Sequence, residues 1–353
     1  MKIYRIATLF ILFALLLAAC GSGGGAKVLN LYAWSEYVPQ GLLDGFTEKT
    51  GIKVNYDTYS SNEELLAKLQ AGASGYDVII PSDYVVSIMI NQDMLEALDL
   101  SMIPNFANIT PEFTNPSFDP GNKYTVPYQW GTTGILYDPA VVPFEPTRWA
   151  DLWDPAFAER LVALDDEREI IGVALHVLGY DMNTTDPQKL EEAKQKLLAL
   201  MPNIRLFDSD SPESAILSGE AWAGIVWNGN ASLGYAENPN LVYLCPEEGC
   251  TIWFDNLAIP KDAPHLNAAL QFINYVLSPE ASSLITMEFP YSNPNRAALE
   301  YLETSDPALY ESYMSFAGTN PPADFLTRTT LITDVGDATT IYDRIWTEIK
   351  GGE

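Results

Sequence analysis

The alternation of short apolar runs with amphipathic stretches between residues 28 and 84 restricts this chain more than any other feature. "KVLNLYAW" reads as a buried strand, and "PQGLLDGFTEKTG" as a helix with Leu42, Leu43 and Phe46 on one face and Gly51 as its stop. "IKVNYDTYS" is a second strand, "SNEELLAKLQAG" opens a helix with the capping-box pair Ser61 and Glu64, and "YDVIIPSDY" is a third buried strand ending in a polar turn. Strand, helix, strand, helix, strand predicts an α/β fold on a parallel sheet with right-handed crossovers. Ligands on such sheets sit at the carboxyl ends of the strands.

Polar aromatic clusters fall at those ends. Trp34, Ser35, Glu36 and Tyr37 follow the first strand, and Ser82, Asp83 and Tyr84 follow the third. The same union of an apolar run with a polar aromatic exit recurs at "GIVWNGNA" (Trp227, Asn228) and "TIWFDNLAIP" (Trp253, Asp255). Any one of these is explained by core packing with a satisfied indole N–H; the four together predict a site. Between them, "LVALDDEREIIGVALHVLGY" crowds Asp165, Asp166, Glu167 and Glu169 at the start of an amphipathic helix. The helix dipole stabilises negative charge there, so capping alone accounts for the cluster. Asp166 and Glu169 are also three apart, hence on one helical face, where two carboxylates can bracket a primary ammonium.

With 353 residues, 47% of them apolar, the chain can bury one large core or two medium ones. Its formal charge of −28 repels nucleic acid and anionic lipid and concentrates cations, although an acidic surface also serves solubility alone. Residues 1–19 have a basic start (Lys2, Arg5), an unbroken apolar run and small residues before Cys20, the layout of a secretory signal. "LAAC" looks like a bacterial lipobox, which implies cleavage before Cys20 and lipidation of its thiol, with residues 20–27 as a flexible tether. No second run is long enough to span a bilayer, so the lipid is the only membrane attachment expected. Cys245 and Cys250, in "CPEEGC", read as a structural disulfide closing a hairpin tip rather than as metal ligands.

Taken together, "LYAWSEYVPQGLLDGFTEKTGIKV", "YDVIIPSDYVV", "TVPYQWGTTGILY", "RWADLWDP", "LDDEREIIGVALHVLGY", "GIVWNGNA", "IWFDNLAIP" and "TDVGDATTIYDRIW" resemble, in order and over nearly the whole exported chain, the polyamine-binding proteins of bacterial ABC importers. The resemblance implies the two-lobed type II periplasmic binding protein fold, with two chain crossings as hinge and a ligand cleft between the lobes. Lobe 1 is expected at 28–134 plus 256–300, and lobe 2 at 135–255 plus 301–353. Carried over by position, the family's aromatic box falls on Trp34, Tyr37, Tyr84, Trp227, Trp253 and Tyr291. Its acids fall on Glu36, Asp166, Glu169 and Asp255, and its hydroxyls on Ser35 and Ser82. The chain departs from spermidine-preferring members near the C-terminus, where Ile332 replaces a glutamine shortly before "DVG". The implied protein is an exported, lipid-anchored, monomeric receptor that delivers putrescine or spermidine to permease subunits powered by a separate ATPase. It is no enzyme and carries no cofactor or metal.

The physics suits that cargo. A polyamine needs flat apolar walls for its methylenes and carboxylates for its nitrogens. Aromatic faces supply about 0.5–2 kcal/mol per cation–π contact. Paired carboxylates with aromatic walls also describe a glycosidase cleft, and the same fold can hold a sugar or a ferric ion. The two histidines, His176 and His265, sit in no catalytic motif. "DSDSPE" at Asp208 begins like a calcium loop, but Pro212 and Glu213 stand where a ligand and the glycine belong. A polar loop contributing Ser209 to the cleft is the expectation there.

Overall fold

The computed structural model describes residues 27–72 and 75–351. The expected signal, Cys20 and the tether up to residue 26 lie outside them. Strand β1 (Val28–Trp34), helix α1 (Gln40–Thr50), β2 (Lys53–Tyr59), α2 (Asn62–Gln70), the short β3 (Val78–Ile79) and α3 (Asp83–Asn91) follow in the order the periodicity predicts. β1 lies between β2 and β3, parallel to both. Leu42, Leu43 and Phe46 are the buried face of α1, and Gly51 ends it in the left-handed region (φ 70°), its N–H bonded to the Thr47 carbonyl. Ser61 caps α2, accepting from the Glu64 N–H at 3.1 Å. The return arm of the box lands one residue early, with Glu64 Oε2 accepting from the Ser60 N–H at 3.0 Å.

Further on come β4 (Thr125–Tyr137), β5 (Leu161–Ala163), α4 (Glu167–Val177), β6 (Ile204–Phe207), β7 (Ala223–Trp227), β8 (Val242–Leu244), β9 (Cys250–Ala258) and β10 (Thr329–Leu331). The main path of the sheet runs β2-β1-β3-β9-β4-β7-β5-β6. The first three strands are parallel, as expected, but the sheet they join is mixed: β9 is antiparallel to β3 and β4, and β4 is antiparallel to β7. Along this path the two flanks, β2-β1-β3 and β7-β5-β6, are parallel, and off it β10 pairs parallel with β9. Pro127 has no N–H to donate, and the β4–β9 register shifts between it and Gln129.

Those two antiparallel strands link two cores. Leu29, Phe46, Tyr128, Leu257 and Ile273 belong to one; Ile135, Trp149, Ile171, Leu197 and Tyr342 belong to the other. A chain of this length exceeds what a single core organises easily. Position 300 falls inside the helix Arg296–Ser305. Tyr313 beyond it is still tied to the first half, its hydroxyl donating to the Tyr291 carbonyl at 2.9 Å. The chain reaches the second half at Phe316, which stacks on Tyr235 at 4.3 Å, so a third crossing joins β4 and β9.

Cys245 and Cys250 are bonded, but not across a hairpin. β8 and β9 both pair antiparallel to β4, at Ile135–Tyr137 and Thr125–Thr133 respectively. They therefore run in the same direction along one edge, and the disulfide ties off an excursion between them. The excursion is anchored: Trp149 Nε1 donates to the Gly249 carbonyl at 2.7 Å, and Arg328 Nη1 to that of Pro246 at 3.0 Å. His176 packs beside Gly249, and His265 Nδ1 is 3.0 Å from Asp77 Oδ2.

Candidate ligand-binding cleft

The end of β1 is pinned by one carbonyl. Trp34 Nε1 donates to the Ile80 carbonyl at 3.1 Å, and the Tyr59 hydroxyl donates to the same oxygen at 2.6 Å. The Trp34 ring meets Trp227, at the end of β7, edge to face at 5.9 Å. Ser35 Oγ donates to Asp210 Oδ1 at 2.6 Å across the same gap. Glu36 takes the left-handed backbone (φ 48°), uncommon for a residue with a Cβ, and this turn sends Tyr37 inward while Glu36 stays exposed at the rim.

Tyr37 reaches Asp255, which gathers the first wall. Tyr37 Oη donates to Asp255 Oδ2 and Ser82 Oγ to Oδ1, both at 2.5 Å, and Asn62 Nδ2 supports Ser82 Oγ at 3.0 Å. Burial raises the Asp255 carboxyl to about 6, even with these two hydroxyls favouring the anion. Trp253 lies two residues earlier, on the same face of β9, edge-on to Tyr291 at 5.5 Å. Both residues sit inside the strand rather than at its end, a consequence of β9 crossing the sheet antiparallel. Gly131 faces Trp253 in the β4–β9 register. A Cβ there would enter the Trp253 ring and Asn228 Oδ1. The Trp253 indole N–H is buried without a partner.

The opposite wall begins at α4. Asp166 is its N-cap, Oδ1 accepting from the Glu169 N–H at 3.0 Å. Capping and a cavity-facing carboxylate thus coexist. Glu169 Oε1 accepts from Thr133 Oγ1 at 2.8 Å, and its Oε2 is buried without a partner. Burial, with Glu63 and Glu169 nearby, raises Asp166 to about 8; burial raises Glu169 as well. Tyr84 donates its hydroxyl to Glu63 Oε1 at 2.7 Å.

Every ligand-site residue named from the sequence, from Trp34 through Tyr291, lines one cavity, as do Ser209 and Ile332. Sequence reading left out Asn62, Asp83, Asp210, Asn230 and Phe289, which line it too. Asp83 had been noticed at its strand end; burial holds its carboxyl well above the usual range although the Phe254 and Tyr84 N–H groups donate to it. Asn62 and Asp210 come from a helix start and a loop that carry no aromatic signal, Asn230 lies three residues past Trp227 at the start of the next helix, and Phe289 caps the end of the helix Pro279–Glu288. Asp210, next to Ser209 in the calcium-like stretch, reaches the cavity because the loop after β6 folds back toward Ser35. Among the described residues no group of three or more His, Cys, Asp or Glu is arranged to hold a metal ion.

Chemically, the cavity is an acidic slot between aromatic faces. Asp83, Glu169, Asp255 and Asp166 are only 2%, 3%, 4% and 7% exposed, and no lysine, arginine or histidine lines the wall with them. Buried carboxylates are stable as anions only when paired, so a ligand carrying positive charge completes this arrangement.

Residues 41–311 match the family model described as bacterial extracellular solute-binding protein. The chain is 41% identical, over 92% of both chains, to the spermidine/putrescine-binding periplasmic protein of Salmonella typhimurium. It is 35% identical, over 93% of both, to a putrescine-binding periplasmic protein of Pseudomonas aeruginosa. Among solved structures, it matches a protein assigned to a spermidine/putrescine ABC transporter of Listeria monocytogenes with a TM-score of 0.87 and 32% identity, over 93% of this chain and 100% of that one.

Proposed function

Because the chain belongs to the bacterial extracellular solute-binding proteins, we propose that it captures a polyamine, putrescine or spermidine, outside the cytoplasm and hands it to an ABC importer. The observation that carries this reading is the set of four buried carboxylates facing aromatic rings with no basic side chain among the lining residues. Asp255 takes one nitrogen, Asp166 with Glu169 takes another, and Trp34, Trp227, Trp253 and Tyr291 enclose the methylenes. Tyr37 and Ser82 aim Asp255, while Ser35 and Tyr84 line the walls beside Glu36 at the rim. Micromolar affinity requires about 8 kcal/mol, within reach of several cation–π contacts and two or three charge-assisted hydrogen bonds.

Lobes of 28–134 with 256–315 and of 135–255 with 316–351 move about β4, β9 and the Phe316 crossing. Ligand held by one lobe draws the other closed, since both contact it only in the closed state. The closed monomer then docks on permease subunits. Cys20 carries the lipid, so replacing it with serine releases the protein from membranes. Isothermal titration with putrescine, spermidine, spermine and a sugar control, on protein stripped of carried-over ligand by unfolding and refolding, tests the cargo. Micromolar or tighter binding of a polyamine is expected; silence from all three overturns the reading.

A further inference from the structure

Closure of the two halves needs a contact that forms where they meet, and the "WNGN" stretch at the end of β7 makes one. Asn228, Gly229 and Asn230 are the first turn of the helix Asn228–Glu237, on the second half. Tyr291 and Ser292, on the first half, face them. Asn228 Nδ2 donates to Ser292 Oγ at 3.3 Å, and the Tyr291 hydroxyl donates to Asn230 Oδ1 at 3.3 Å. Between these bonds the Tyr291 ring lies against Gly229, where a Cβ would overlap three of its carbon atoms. Gly229 has no positive φ, so no turn geometry calls for glycine, and glycine inside a helix is less favourable than alanine. Its place there answers to the ring.

The two ends of this contact differ. At the inner end Ser292 exchanges backbone bonds with Trp130 on β4, N–H to carbonyl in both directions at 3.0 Å, and its Oγ donates to the Thr319 carbonyl at 2.8 Å. Asn228 Nδ2 donates as well to the Gly318 carbonyl at 2.9 Å. Asn228 and Ser292 are thus tied to β4 and to the crossing after Phe316, the segments about which the halves turn. At the outer end the buried Asn230 donates through Nδ2 to the Asp210 carbonyl at 3.2 Å and to Glu213 Oε2 at 3.1 Å. Asp210 in turn accepts from Ser35 of the first half. The Tyr291 ring has Tyr37 at 5.3 Å and Trp253 at 5.5 Å, so it cannot retreat from Gly229 without moving the cavity wall.

Resting on the cargo and the closing motion proposed above, we propose that Asn228-Gly229-Asn230 is a latch between the halves. Its inner end, Asn228 on Ser292, is a pivot that stays made. Its outer end, Gly229 and Asn230 on Tyr291 with Asp210 on Ser35, is made and broken as the halves meet and part. A bond beside a rotation axis changes little in length for a given turn, and one farther out is pulled apart by it. Asn228 and Gly229 do not line the cavity, so the latch governs how long the receptor stays closed and leaves the choice of cargo to the carboxylates and rings. Cargoes bound only in the closed state lose affinity in proportion to the closed fraction, and all of them lose it alike.

The test measures association and release of 1,4-diaminobutane on the whole exported chain, with small-angle X-ray scattering to read closure. Gly229→Ala removes no polar group; it should speed release about tenfold or more by forcing the ring off its seat and leave association within about threefold. Its ratio of spermidine to diaminobutane dissociation constants should stay within about twofold of wild type, and with cargo in excess its radius of gyration should exceed that of wild type. Tyr291→Phe should speed release about threefold, the value of one net hydrogen bond. Asn230→Ala should do likewise, and the double variant should exceed neither single one. Tyr291→Phe, which leaves Glu213 its bond to Asn230, decides the point if Asn230→Ala does not fold. Unchanged release and radius in Gly229→Ala, additive effects of the two polar variants, or a cargo ratio moved by more than about threefold overturn the latch. If no polyamine binds, the cargo reading falls and scattering of the cargo-free chains decides the latch: a larger radius in Gly229→Ala upholds it, and equal radii overturn it.

Discussion

Asp255→Asn should make the empty protein more stable while weakening its hold on a cation. In the ligand-free cleft the Asp255 carboxyl is raised from its ordinary 3.8 to about 6 by burial, despite two donated hydroxyls. That displacement corresponds to about 3 kcal/mol against the ionised form. A carboxyl raised in the folded state contributes stability that is complete below its unfolded pKa and lost as the pH rises through the folded one. The wild-type protein therefore forfeits up to about 3 kcal/mol from this side chain between pH 4 and pH 7, and a non-titrating amide forfeits none. At pH 8 the variant should melt higher, by about 2 °C for each kcal/mol in a chain of this size; at pH 4 the two should coincide. Calorimetric melts of ligand-stripped protein at both pH values measure the difference, and titration at pH 8 should show putrescine affinity reduced about 10- to 100-fold for the lost charged acceptor. A variant that melts lower than wild type at pH 8, or that is displaced equally at the two pH values, would refute the claim that the empty site strains this carboxylate.

Other tests follow from the same geometry. Cation binding should expel protons from Asp255, raised to about 6 by burial, and from Asp166, raised to about 8 by burial with Glu63 and Glu169 nearby. Affinity should then climb with pH, through Asp255 up to about pH 6 and through Asp166 up to about pH 8, by up to tenfold per pH unit for each proton released, and binding heats should differ between buffers of different ionisation enthalpy; equal heats would count against it. Reducing Cys245–Cys250 should cost about 2 kcal/mol through the closed loop and leave polyamine affinity unchanged, because the bond ties off an excursion remote from Asp255. Trp253→Ala should weaken binding at least about tenfold, with circular dichroism showing the fold retained. Gly131→Ala should destabilise by about 1–3 kcal/mol through overpacking and lower affinity as well, since the new methyl displaces the Trp253 ring; a silent substitution would show that the ring has room to move.

The first five elements were legible because each carries a local signal: the spacing of Leu42, Leu43 and Phe46, the glycine at 51, the serine at 61. The direction of β4 and β9 was not, since an apolar run of strand length reads alike whichever way it crosses a sheet. That ambiguity produced the expected hairpin at "CPEEGC" and placed Trp253 and Asp255 at a strand end. For the cavity, tryptophans and tyrosines beside carboxylates stand out in any window. Asn62 and Asp210 do not, because a polar residue in a polar loop acquires meaning only through partners such as Ser82, 20 positions away, and Ser35, 175 positions away.

β9 carries a burden that bears on redesign. In the closing motion proposed above it is one of the strands on which the halves pivot, and in the proposed site it also presents Trp253 and Asp255 to the cargo. A substitution at either position meant to change what is bound will also retune how readily the receptor gapes, so altered uptake by such a variant cannot be attributed to recognition alone. Trp227 and Asp166 stand on elements of a single half. An engineer seeking a new cargo with the original release behaviour would start there and leave the axle untouched.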